Sequence, residues 1–150
     1  MRISLAVVHL LALGIGLGAI WSRARSFGAP PDTVAALRRG FTADSWWGIA
    51  AILWIASGLW RLLGATEKPA LYYAHNRYFI AKMAGLVLIL LLELWPMVTL
   101  IRWRVSTARG TISFPTIARP SHRISLISYT QTAIVILMVI LAVSMARGYS

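Results

Sequence analysis

The chain contains no cysteine. That excludes disulfides, thiolate metal sites and cysteine nucleophiles together. Acidic residues are scarce as well: there are 4 Asp and Glu against 15 Lys and Arg, and charged residues of all kinds make up 13% of the 150. A soluble domain of this size carries about 25%. A large core does not explain the deficit, because so short a chain builds one modest domain. Internal repeats and low-complexity segments are also lacking. What is abundant is apolar: 59% of the residues are hydrophobic, and the mean hydropathy is +0.72. Lipid, not water, must solvate much of that surface.

A net charge of +11 raises the question of nucleic acid. Nearly all of the Lys and Arg lie between apolar runs, and no basic helix carries interleaved aromatics. This is the distribution of membrane topology signals, so no nucleic-acid partner is expected.

A hydrocarbon layer of about 30 Å needs about 20 apolar residues in a helix. Four runs qualify: residues 3–21, 46–63, 79–103 and 124–145. The expected fold is all-α, an integral membrane four-helix bundle forming a single domain over 1–150. Run 3–21 exceeds a usual signal-peptide core, and Arg23 and Arg25 follow it instead of a small-residue cleavage site, so it reads as a retained helix. Asp44-Ser45 precedes the second run as an N-cap pair. Between the first two runs, Val34, Leu37 and Phe41 recur at helical spacing beside Arg38 and Arg39. They predict a short amphipathic surface helix with its arginines near anionic headgroups. Trp21, Trp46, Trp47, Trp60 and Trp103 fall at span ends and read as an aromatic belt.

Orientation follows from Lys and Arg. Loops 22–45 and 102–123 hold nine of them, and the opposite side holds five: Arg2, Arg61, Lys68, Arg77 and Arg147. The nine-residue side is expected to be cytoplasmic, which puts both termini outside a bacterial-type inner membrane.

Ionisable groups inside spans are costly and therefore mark candidate sites. By helical rise, His9 lies about 9 Å and Lys82 about 5 Å below the outer surface, with Arg61 near it. Trp47, Trp54 and Arg61 repeat at seven, as do His9 and Gly16, so a flat ligand could approach the helix backbone at Gly16. Gly14 and Gly18 form a GxxxG pair on nearly the opposite face, suited to helix association in a homo-oligomer or larger membrane complex. Glu93 lies on the face of Lys82 but about 16 Å deeper. It is expected to be a protonated carboxyl bonded to Gln131, Thr130 or Ser128 of the fourth span, to serve backbone groups freed at Pro96, and to tolerate Glu93→Gln. His75 and His122 read as loop residues.

The stretches TADSWWGIAAILWIASGLWR (42–61), AHNRYFIAKM (74–83) and LELWPMVTLIRWR (92–104) resemble an uncharacterised family of predicted bacterial four-helix membrane proteins. That family carries no established activity. More distantly, the layout is similar to HemJ-type protoporphyrinogen oxidases and copper-resistance D-like proteins. HemJ-type proteins place a histidine early in helix one and a lysine at the start of helix three, positions that match His9 and the Lys82 of Ala81-Lys82-Met83. Ile80 stands where that family has a second histidine. Copper transport is poorly supported by a chain with no cysteine and only scattered methionines.

The resemblance implies haem b or a related tetrapyrrole in the outer half of the bundle. His9 would ligate the iron, Lys82 and Arg61 would pair with propionates, and Trp54 and Gly16 would wall the ring, with a redox-related role in view. The alternative is a non-enzymatic structural or assembly subunit in which His9, Lys82 and Glu93 make only internal contacts. A proton or ion path along Lys82 and Glu93 is a third reading.

Overall fold

The computed structural model describes residues 2–63 and 77–147, with the side chains of residues 2, 61–63, 145 and 146 outside that description. Four long helices make up nearly all of it: α1 (Arg2–Gly28), α2 (Val34–Leu63), α3 (Arg77–Ala108) and α4 (Phe114–Ala146). At 27 to 33 residues, each is about 40–50 Å long and overruns a hydrocarbon layer of about 30 Å. Among the described residues, three helical stretches are long and apolar enough to cross a membrane: Ile3–Gly28, Arg77–Ala108 and Phe114–Ser144. Helix α2 lies beside α1 along its length. Its Ser57 meets His9, its Asp44 meets Arg23 and its Gly40 meets Phe27.

The helix ends follow from local chemistry. Helix α1 stops at Gly28, ahead of Pro30-Pro31, because a residue preceding proline is driven out of the helical region. Helix α2 starts after Thr33, whose side-chain oxygen accepts from the Ala36 amide at 3.2 Å, as an N-cap does. Helix α3 ends in a Schellman turn. Gly110, at φ +69°, donates to Thr107 O, and Thr111 donates to Ser106 O; the left-handed backbone there suits glycine. Pro115 stands in the first turn of α4, where its missing N–H is of no consequence.

Two sequence expectations are corrected here. No separate surface helix exists in the first loop: Val34, Leu37 and Phe41 belong to the first turns of α2. Asp44-Ser45 is therefore not a cap but lies inside that helix. The backbone does not break because the inward stripe of buried Leu37, Phe41 and Trp47 with half-buried Asp44 continues at helical spacing across the boundary of the apolar run.

The helices run up, down, up and down. Helix α1 packs on α2 and α4, and α4 packs on α3, while α2 and α3 approach each other only lightly. Small residues let α1 and α2 come close. A Cβ at Gly16 would stand 3.3 Å from that of Ala50, and one at Gly40 would collide with the Phe27 ring. The core has two apolar clusters. One holds Ala12, Ile20, Trp47, Trp54, Ile89, Val135 and Met138. The other, nearer the arginine-rich loops, holds Phe27, Leu37, Leu100, Trp103, Ile117 and Ile124. Trp47 and Trp103 are thus core residues, whereas Trp21, Trp46 and Trp60 are exposed as belt residues would be.

Candidate functional site

Between the two apolar clusters lies a polar layer to which every helix contributes. Arg23 of α1 is its centre, and its side chain is 0% exposed. Nε donates to Ser128 Oγ at 3.0 Å, Nη1 to Asp44 and Glu93, and Nη2 to Glu93 and Gln131. A guanidinium has five N–H groups, and all five are used. The Glu93 contact is bidentate, at 2.6 and 2.8 Å, the strong fork geometry of arginine with a carboxylate.

Glu93 receives two further bonds on Oε2, from Trp47 Nε1 at 3.1 Å and Gln131 Nε2 at 2.8 Å. Every partner donates to it and none accepts, which is the pattern of a carboxylate. The expectation of a protonated Glu93 is therefore replaced: Arg23 supplies the countercharge that a lone intramembrane carboxyl would lack. Nor does Glu93 serve the backbone at Pro96. The group freed there is a carbonyl, and a carboxylate has no proton to offer it.

The layer reaches the aqueous end through a second arginine. Asp44 binds Arg23 through Oδ1 and Arg104 through Oδ2, both at 2.8 Å. Arg104 also donates to Phe41 O and Ser45 Oγ, and it lies over the Phe41 ring. Two cations alternate with two anions, so the cluster is neutral. That matters in a medium where an uncompensated charge costs several kcal/mol.

Of the fourth-span residues expected near Glu93, the structure brings Gln131 to it directly. Ser128 reaches the cluster through Arg23, and Thr130 is exposed and bonds its own helix at Leu126 O. Arg23, Asp44, Trp47 and Arg104 were missed because they fall at or outside the ends of the apolar runs. A usable signal was present. Ala12, Gly16, Ala19, Arg23 and Phe27 form one uninterrupted buried face of α1.

The proposed outer-half residues are only partly gathered. His9, Trp54 and Lys82 line one cavity of about 90 Å³ to which all four helices contribute, walled by Ile55, Leu59, Phe79, Met83 and Met138. Gly16 lies apart, against Trp47 and Ala50, so α2 fills the space above it. The Arg61 side chain and His75 are outside the described residues. Ser57 Oγ commits its proton to backbone carbonyls, at 2.7 Å to Leu53 O, so His9 Nδ1 donates to Ser57 at 2.9 Å. The ring then has Nε2 as its acceptor nitrogen, the tautomer of an axial imidazole. Trp54 Nε1 is a buried donor with no acceptor among the described residues. The cavity's volume of about 90 Å³ is below the ~300 Å³ at which small-molecule pockets begin. No group of three or more His, Asp or Glu that could hold a metal ion occurs among the described residues.

A family described as "Predicted membrane protein (DUF2214)" matches residues 1–150. No curated protein and no solved structure matches the chain.

Proposed function

The chain belongs to the DUF2214 family of predicted membrane proteins, and within that family we propose a non-enzymatic role, as a structural or assembly subunit that joins other membrane helices laterally. One observation carries this reading: the charged groups in the middle of the bundle are consumed by one another. Arg23 has no N–H left to offer a ligand, and Glu93 is held by three donors' side chains. Such a layer fixes helix register, which is the best-attested use of buried polar groups.

The surface for a partner is the Gly14/Gly18 side of α1. Both glycines are exposed, and no atom lies within 4 Å of where a Cβ would stand on either. A neighbouring helix could approach the backbone closely there. Because the chain has no cysteine, Gly14→Cys and Gly18→Cys provide a direct test. Disulfide-linked copies should form in membranes from these positions but not from Gly48→Cys, an exposed site on α2. Equal cross-linking at all three positions would remove the support for this face.

The orientation belongs to the same reading. Setting aside Arg23 and Arg104, which are engaged in the layer, still leaves seven arginines at one end against five basic residues at the other. The seven-residue end is cytoplasmic in a bacterial-type inner membrane, and both termini lie outside.

A tetrapyrrole in the outer half is the second reading. It is favoured by the tautomer of His9 and by the place of Lys82 in the same cavity. It requires that cavity to widen about three-fold to reach even the lower bound for ligand pockets.

A further inference from the structure

A groove of about 580 Å³ runs between α1 and α2 at the arginine-rich end of the bundle. Its composition changes along its length. The deep end is apolar, with Ile15 and Ala19 from α1 and Ala43 and Trp46 from α2. The shallow end carries Ser22 and Ser26 on one wall and Arg38 and Arg39 on the other. From Ile15 to Ser26 the helical rise amounts to about 16 Å, so the change follows membrane depth. Both arginines are exposed, and among the described residues neither is in an ion pair. They differ in this from Arg23 and Arg104, whose charges are met inside the fold. Among the described residues, the neighbouring hydroxyls of Ser22 and Ser26 likewise take no part in the polar network around Arg23, which points away from this groove.

We propose that this groove binds an anionic phospholipid, its phosphate between Arg38 and Arg39 with the serine hydroxyls as further donors, and its acyl chain along Ile15, Ala19 and Trp46. Two uncompensated guanidinium groups call for a phosphate-type anion, which arginine binds through paired N–H donors. The apolar continuation below them selects a phosphate that carries a chain. A free phosphate would use only the upper half of the groove. A basic pocket between membrane helices at the arginine-rich side is the general setting for such headgroups.

The test titrates the full chain in detergent with phosphatidylglycerol or phosphatidylcholine and counts bound lipids by native mass spectrometry. The wild-type protein should show a phosphatidylglycerol binding event that phosphatidylcholine does not reproduce. Arg38→Gln with Arg39→Gln should weaken it about 30-fold, from roughly five-fold per interfacial arginine. Ser22→Trp should block it with no change in charge, because Ser22 is an exposed groove residue. Arg102→Gln with Arg109→Gln removes the same charge from exposed positions outside the groove and should leave binding intact. Equal weakening by that control pair would mean diffuse attraction and would overturn the proposal. So would retention of the lipid in Ser22→Trp, or its displacement by millimolar inorganic phosphate.

Discussion

Arg23 and Glu93 meet end to end, Nη1 to Oε1 at 2.6 Å and Nη2 to Oε2 at 2.8 Å, although 70 residues separate them in the chain. The contact ties α1 to α3, two helices that are otherwise linked mainly through α4. Removing one member leaves the other charged and buried, a loss of about 3–5 kcal/mol. Arg23→Leu should therefore lower the unfolding midpoint sharply in detergent. Arg23→Leu combined with Glu93→Leu should recover part of that loss, because the uncompensated charge is gone. Strictly additive losses would show that the pair is not coupled.

Glu93→Gln should be poorly tolerated. The glutamine amide would point N–H donors at Arg23, Trp47 or Gln131, all of which already donate to this position. Donor facing donor inside a membrane leaves polar hydrogens unmet at about 1–3 kcal/mol. Thermal denaturation of the purified variant checks this, and a midpoint equal to wild type would contradict the carboxylate assignment.

The glycines should divide into two groups. Gly40→Ala drives a methyl into the Phe27 ring and should destabilise the fold by about 1–3 kcal/mol. Gly14→Leu and Gly18→Leu add side chains to open space, so monomer stability should hold while lateral association is lost. Unfolding midpoints, measured alongside particle mass in nanodiscs, separate the two effects. Association that survives both leucine variants would direct attention to another surface.

Much of this architecture was legible in the sequence. Apolar run length predicted four helices, and the cost of a lone carboxyl predicted that Glu93 would have polar company near Gln131. The helix ends were harder to place. Hydropathy falls at Arg23 and at Asp44 because both are charged, yet each is held inside the bundle by its partner, and the helices continue past them. A run-length criterion looks at one helix at a time. The pairing that neutralises these charges needs Asp44 of α2 and Glu93 of α3 brought to Arg23 of α1. The outer-half residues are only partly gathered for a related reason. Helical phase puts His9 and Lys82 on one cavity, but it does not report that Trp47 and Ala50 close over Gly16.

Orientation has its own check. A reporter within residues 109–113 should register as cytoplasmic and a tag after Ser150 as external, given the excess of arginine at the former end. The reverse result would place the lipid groove in the outer leaflet.

The absorption spectrum of purified protein supplied with haem b in nanodiscs bears most directly on whether the bundle is a structural unit or a cofactor protein. With His9 bonded to Ser57 beside a cavity of about 90 Å³, the structural reading predicts a colourless protein with no Soret band beyond that of free haem. A stoichiometric Soret band that His9→Ala removes would contradict it and establish axial ligation by that histidine.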